Sequence, residues 1–178
     1  MTIGTTMENI GWAVINNLHI LFAVAIGGSW AKERAGGAFA AVLAFTLINV
    51  ITGNIFGVTS AMLADPNAVT HTLFGQEIAV NGYFTSVLGA PALNMGVFVG
   101  IIAGFVGGVA YNKYYNFRKL PDALAFFNGK RFVPMVVIAY SVVISMVLAL
   151  FWLSTKLLSP YWVLPLSSGP PLSPKQMP

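Results

Sequence analysis

The sequence predicts an all-α, polytopic membrane protein: a transmembrane helical bundle of about four spans with one interfacial amphipathic helix. Three observations lead there. Charged residues make up 8% of the 178 and apolar residues 57%, against roughly 25% and about 45–50% in soluble domains. The mean hydropathy is +0.78. The apolar residues gather into four runs, each near the roughly 20 residues that a bilayer core requires. This composition excludes an ordinary soluble enzyme. The formal net charge of +4 does not make a nucleic-acid partner, because the cations sit at the ends of apolar runs, where an anionic membrane surface accounts for them. The lipid bilayer is therefore the first partner.

In chain order, the runs are residues 10–30, 35–58, 92–111 and 132–155. The first contains Asn16, Asn17 and His19. Polar groups at membrane depth must face protein or water, so these three either pack against neighbouring helices or line a polar pathway. The second run carries Thr46, Asn49, Thr52 and Asn54. The first three are spaced three apart on one helix face, which suits interhelical hydrogen bonding or the same pathway. The third run carries Gly96, Gly100, Gly104 and Gly108, one glycine every four residues. Such a column leaves a groove for a second helix backbone; a substrate sliding along it is the alternative.

Between the third and fourth runs lies the basic hinge YNKYYNFRKLPDALAFFNGKRFVP, residues 111–134. It holds Lys113, Arg118, Lys119, Lys130 and Arg131, five of nine Lys and Arg residues. Tyr114, Tyr115, Phe117, Leu124, Phe126 and Phe127 alternate with those charges, as in a helix lying on a membrane surface. Pro121 is suited to open it and Asp122 to its first turn. The short loop 31–34 adds Lys32 and Arg34, while the loop 60–90 has no Lys or Arg. Seven cations against two place loop 31–34 and the hinge in the cytoplasm and both termini outside.

Catalytic and metal motifs are missing. There is no cysteine, hence no thiolate ligand, disulfide or cysteine nucleophile in the chain. His19 and His71 are isolated in their segments, and the glycine pairs lack a P-loop sequel. No metal and no cofactor is expected, and no residue is assigned a catalytic role. Lys130 and Arg131 stand out because they follow the turn signal Asn128-Gly129 and precede an apolar run. They either cap the membrane boundary or handle a polyanionic or polyhydroxylated ligand or a cytosolic partner.

Four segments carry a family resemblance. FFNGKRFVP (126–134) resembles the FFxGKRFVP signature of sugar permeases of the bacterial phosphoenolpyruvate-dependent phosphotransferase system, glucose superfamily. YNKYYNFRKLPDAL (111–124), NMGVFVGIIAGFVGG (94–108) and LFAVAIGGSWAKERAGGAFAA (21–41) are similar to adjoining parts of the same family, in the same order. Together they cover about residues 10–151. The resemblance implies a membrane component, enzyme IIC, in the bacterial cell membrane. Such a component works as a homodimer, takes a sugar from outside and presents it inward to a phosphorylated cysteine on a IIB domain or subunit. The glucose and maltose branch is nearest, with N-acetylglucosamine beside it. Phosphorylation adds about −1.5 to −2 charges, so the product is retained. The place of Lys130 and Arg131 in the GKRF signature implies a role at the cytosolic mouth near the phosphoryl donor.

The resemblance also sets expectations about extent. Residues 1–158 read as part of the amino-terminal, dimer-forming half of enzyme IIC, beginning near the family's second helix and stopping after about the fifth. The sugar-binding half and the phosphorylated cysteine then lie elsewhere, so the chain alone performs neither transport nor transfer. Residues 159–178, six of them proline, depart from the family and are expected to be disordered. A frame shift near 151–152 or a truncation would produce such a tail. The alternatives are a non-catalytic packing or dimerisation subunit that uses the glycine face, or a nonfunctional remnant.

Overall fold

The computed structural model describes residues 3–71, 75, 77–119, 121 and 126–167. Among the described residues three helices are long and apolar enough to cross a membrane, and a bent pair passes the same test together, with the geometry of a broken span or a re-entrant loop. The first expected span is that pair: α1 (Ile3–Asn16) and α2 (Leu18–Trp30) meet at a 53° bend. The reason is local. Asparagine favours local hydrogen bonds over helix continuation, and the Asn17 side-chain amide donates to the Ala13 carbonyl at 2.8 Å. The Asn17 carbonyl then accepts from Ile20 and Leu21, starting the second half anew.

Helix α3 (Arg34–Ile55) ends short of the expected residue 58. Gly57, at φ +61°, turns the chain, and Val58 N–H closes back on the Gly53 carbonyl at 3.1 Å. A short helix, α4 (Ser60–Ala64), follows.

The stretch read as an outer loop then forms two antiparallel hairpins, β1 (Val69–His71) with β2 (Glu77–Ala79) and β3 (Phe84–Val87) with β4 (Ala90–Leu93). The second hairpin turns on Leu88-Gly89, both at positive φ, 51° and 83°, as a two-residue hairpin that follows the natural strand twist requires. This hairpin corrects the third span. Residues 92–93 belong to a strand, and α5 runs Val97–Tyr114.

Helix α6 starts at Val133, after a 3-10 turn at Gly129–Phe132, and its backbone continues to Ser167. The first nine residues of the expected non-helical tail are thus helical despite Pro160 and Pro165. A proline removes one backbone donor without ending a helix in every case. The rest of the tail, and Asp122 and Leu124 of the helix expected to open at Pro121, lie outside the described residues.

The bundle packs α2, α3 and α5 mutually, with α6 laid chiefly on α3. Apolar burial gives helices little reason to associate inside lipid, so close backbone packing through small residues takes its place. Ala23, Gly27, Gly37, Ala40, Ala41, Ala44, Ala103 and Gly107 fill this centre. A Cβ at Gly27 would lie 2.4 Å from the Ala41 Cβ, and one at Gly107 2.3 Å from the Ala41 nitrogen.

The glycine column resolves into two kinds of position. Cβ atoms at Gly100, Gly104 and Gly108 would meet α2, at the His19 carbonyl (1.9 Å), the Ile26 Cβ (2.7 Å) and the Trp30 Cβ (3.2 Å). Gly96 is not in that groove: it precedes α5 with φ +56°, and a Cβ there would meet nothing within 4 Å. Within this chain α2 already fills the groove.

The buried polar residues of α3 bond within their own helix, not across helices as expected. Asn49 donates to the Phe45 carbonyl (2.8 Å) and Thr52 to the Asn49 carbonyl (2.9 Å). Thr46, which is exposed, donates to Val42 (3.0 Å).

Candidate functional site

Chain direction brings the two basic segments to one end of the bundle. Helix α2 ends there, α3 begins there, α5 ends there and α6 begins there. Asn112 of α5 ties the ends together: its Oδ1 accepts from the Lys32 N–H at 2.7 Å and its Nδ2 donates to the Trp30 carbonyl at 2.9 Å. The loop 31–34 is thereby fixed against the last turn of α5.

Lys130 is the centre of this end. Its Nζ stands 2.5 Å from Glu33 Oε2 in the loop, and the Tyr111 hydroxyl of α5 donates to the same carboxylate oxygen. Three segments distant in sequence therefore converge on one atom. Gly36 makes this possible, because a Cβ there would lie 2.2 Å from the Tyr111 ring. The turn carrying Lys130 is itself specified by Gly129, at φ +77°, whose N–H donates to the Phe117 carbonyl at 2.7 Å. Phe117 stacks on Phe132 at 4.9 Å, and Tyr114 meets Tyr140 of α6 hydroxyl to hydroxyl at 3.2 Å. A cavity of about 250 Å³ opens beside the knot, between Glu33, Gly36, Phe39, Tyr111, Lys130 and Pro134.

The hydrogen-bonded Lys130 ammonium, and after it the Tyr111 hydroxyl, hold the Glu33 carboxyl below its ordinary value of 4.5. Glu33 is therefore ionised at neutral pH. Both side chains of the ion pair are well exposed, at 63% and 46%, so water and salt screen it. Its value lies in fixing geometry.

Arg131, the neighbour of Lys130, is not part of the knot. Its guanidinium lies over the Phe126 ring at 4.5 Å, a contact with the cation's face that does not use its in-plane donors. Lys32 and Lys113 likewise lie over Tyr115 and Tyr114, each at 5.4 Å. The tyrosines and phenylalanines of the hinge thus hold cations.

Sequence reasoning missed Glu33, Tyr111 and Gly36. The available signal was one carboxylate between two cations, Lys32-Glu33-Arg34; counting only Lys and Arg passes over it. Asn16 and His19 lie at the opposite end of the bundle beside a separate cavity, which Asn17, at the bend, does not line. Among the described residues no group of His, Cys, Asp and Glu is placed to hold a metal ion.

Residues 1–170 match the family model described as "Phosphotransferase system, EIIC". The chain is 72% identical over 149 residues to the PTS system glucose-specific EIICBA component of Streptococcus pneumoniae serotype 4, covering 84% of this chain and 20% of that protein. It is 37% identical over 146 residues to the PTS system glucose-specific EIICBA component of Staphylococcus carnosus, covering 82% of this chain and 19% of that protein. The chain spans about a fifth of the length of these relatives.

Proposed function

We propose, because this chain belongs to the phosphotransferase system EIIC family, that it contributes part of the membrane component of a glucose-type permease, coupling sugar uptake to sugar phosphorylation. The substrate is glucose, maltose or a related sugar, and the phosphoryl group comes from a IIB domain or subunit. The chain supplies part of the amino-terminal, dimer-forming half of a homodimer in the bacterial cell membrane. The basic end faces the cytoplasm, as the excess of Lys and Arg in its loops argues.

The observation that carries this reading is the convergence of Lys130, Glu33 and Tyr111. The knot holds the 31–34 loop, α5 and the GKRF turn as one unit at the end where a phosphorylated partner must dock. Lys130 positions this mouth through Glu33. Arg131, with no carboxylate in the knot, offers its guanidinium to the phosphoryl-bearing partner, an anion that a planar fork of N–H donors suits. A permease lacking either residue still binds sugar from outside.

The test uses the complete permease in membranes with its phosphoryl donors. Lys130→Glu sets two carboxylates against each other, and Arg131→Gln removes the guanidinium over Phe126. Both are expected to slow phosphoenolpyruvate-dependent sugar phosphorylation while leaving sugar binding from outside in place. Phosphorylation at the wild-type rate in both variants would remove the assignment.

A further inference from the structure

Two open-sided cavities flank the outward face of α2 near the basic end. One, of about 610 Å³, lies between α2 and α3 and is bounded by Val24, Gly28, Arg34 and Ala38. The other, of about 400 Å³, lies between α2 and α5 and is bounded by Phe22, Trp30, Ile101 and Phe105. They share Ala25 and Ser29 as a common wall, so together they form one depression with two arms. Phe22 and Trp30 are eight residues apart, about 12 Å along a helix. One leaflet of the hydrocarbon core is about 15 Å deep. The apolar arm therefore follows α2 through most of a leaflet.

The two arms differ in chemistry. Ser29 turns its hydroxyl hydrogen back to the Ala25 carbonyl at 2.6 Å, so the shared wall presents little polarity. The α5 arm is lined by aromatic and aliphatic side chains, with the Trp30 ring packed edge-on against Phe105 at 5.4 Å. The α3 arm contains a full charge, Arg34. No Asp or Glu lines either arm. Glu33, next to Arg34 in the chain, has its carboxylate committed to Lys130 and Tyr111. Arg34 has no ion-pair partner among the described residues.

An unmatched cation at the mouth of an apolar groove, with an exposed Trp beside it, fits the boundary between headgroups and acyl chains. Basic pockets between membrane helices suit anionic headgroups, and a guanidinium meets a phosphate with a planar fork of donors. A second apolar helix could fill the groove but would leave this cation unmatched. We infer that the depression is a binding site for one anionic phospholipid of the leaflet at the basic end. Its phosphate pairs with Arg34, and an acyl chain lies in the arm between Phe22, Trp30 and Phe105. One Lys or Arg near an anionic surface favours an anionic over a zwitterionic lipid by about fivefold.

The test uses the full chain in vesicles of fixed phosphatidylcholine and phosphatidylglycerol content, with bromine on the acyl chains of one lipid or the other. Trp12, Trp152 and Trp162 are replaced by Phe, leaving Trp30, one of four tryptophans and 58% exposed, as the reporter of bromine contact. The expected result is stronger quenching of Trp30 by brominated phosphatidylglycerol, corresponding to about a fivefold preference. Arg34→Gln should remove that preference, and Ala25→Leu, which fills the shared wall, should reduce it. Lys113→Gln lowers the charge at the same end without touching either arm and should leave the preference in place. Equal quenching by the two lipids would overturn the inference. So would an Arg34→Gln effect no larger than that of Lys113→Gln, which would mean general attraction to the surface. A Trp30 shielded from both lipids would also overturn it, because a protein surface then covers the groove. Neither sugar nor phosphoryl donor enters this assay, so its outcome is separate from that of the uptake reading.

Discussion

Replacing Gly100 with alanine should be among the most disruptive single-methyl changes in the bundle. The added Cβ would lie 1.9 Å from the His19 carbonyl oxygen, where ordinary contact begins at 3.4 Å. A backbone atom cannot swing aside as a side-chain end can, so α2 and α5 must part along their contact. Overpacking of this kind costs about 1–3 kcal/mol. Alanine's better helix propensity returns up to roughly 1 kcal/mol, leaving a net loss. The same arithmetic orders the column: Gly104→Ala meets the Ile26 Cβ at 2.7 Å and should cost less, and Gly108→Ala at 3.2 Å from Trp30 should be close to neutral. Gly11→Ala, with nothing within 4 Å, isolates the propensity term and should stabilise α1 locally. Unfolding in mixed detergent micelles, followed by circular dichroism over a series of SDS fractions, gives the midpoints. A Gly100→Ala midpoint equal to or above that of Gly11→Ala would refute the close α2–α5 approach.

Other consequences follow from particular contacts. Leu88 occupies the left-handed region at φ +51° while 57% exposed; Leu88→Asn should stabilise the hairpin by about 0.5–1 kcal/mol, read as a higher unfolding midpoint. Asn112→Ala removes both ties to the 31–34 loop and should cost about 1 kcal/mol per lost bond, with faster amide exchange at Lys32 as the direct readout. Because the folded Glu33 carboxyl is held below 4.5, its contribution is present at neutral pH and is lost as pH falls through the folded value. The difference in unfolding midpoint between the unaltered chain and Glu33→Gln should therefore be largest near neutrality and close below pH 4.5.

The fold was legible in the sequence to the extent that periodicity and hydropathy govern it. The α3 and α6 spans announce themselves as long apolar runs with no internal break. Residues 10–30 are equally apolar on average, yet two adjacent asparagines outweigh that average locally and split the span. The strand Ala90–Leu93 reads as the start of a span because its residues are apolar; its pairing with Phe84–Val87 depends on a Leu88-Gly89 turn that lacks the usual polar turn residue. Glycine spacing marks a groove but does not say what fills it. That the answer is α2 of the same chain is a tertiary fact. At the basic end, the motif pointed to Lys130 and Arg131, but their separate settings depend on Glu33 and Phe126, neither of which a charge count selects. In the tail, proline content alone does not say where α6 stops, since its backbone continues to Ser167 past Pro160 and Pro165.

The most direct test of the account is a charge exchange in the complete permease. Phosphoenolpyruvate-dependent sugar phosphorylation would be compared among the unaltered protein, Lys130→Glu, Glu33→Lys, and the double variant carrying both. The account predicts that each single change lowers the rate and that the double variant recovers a large part of it, because the pair proposed to shape the mouth is rebuilt with its charges reversed. A double variant no better than the worse single one would contradict the role assigned to the Glu33–Lys130 pair.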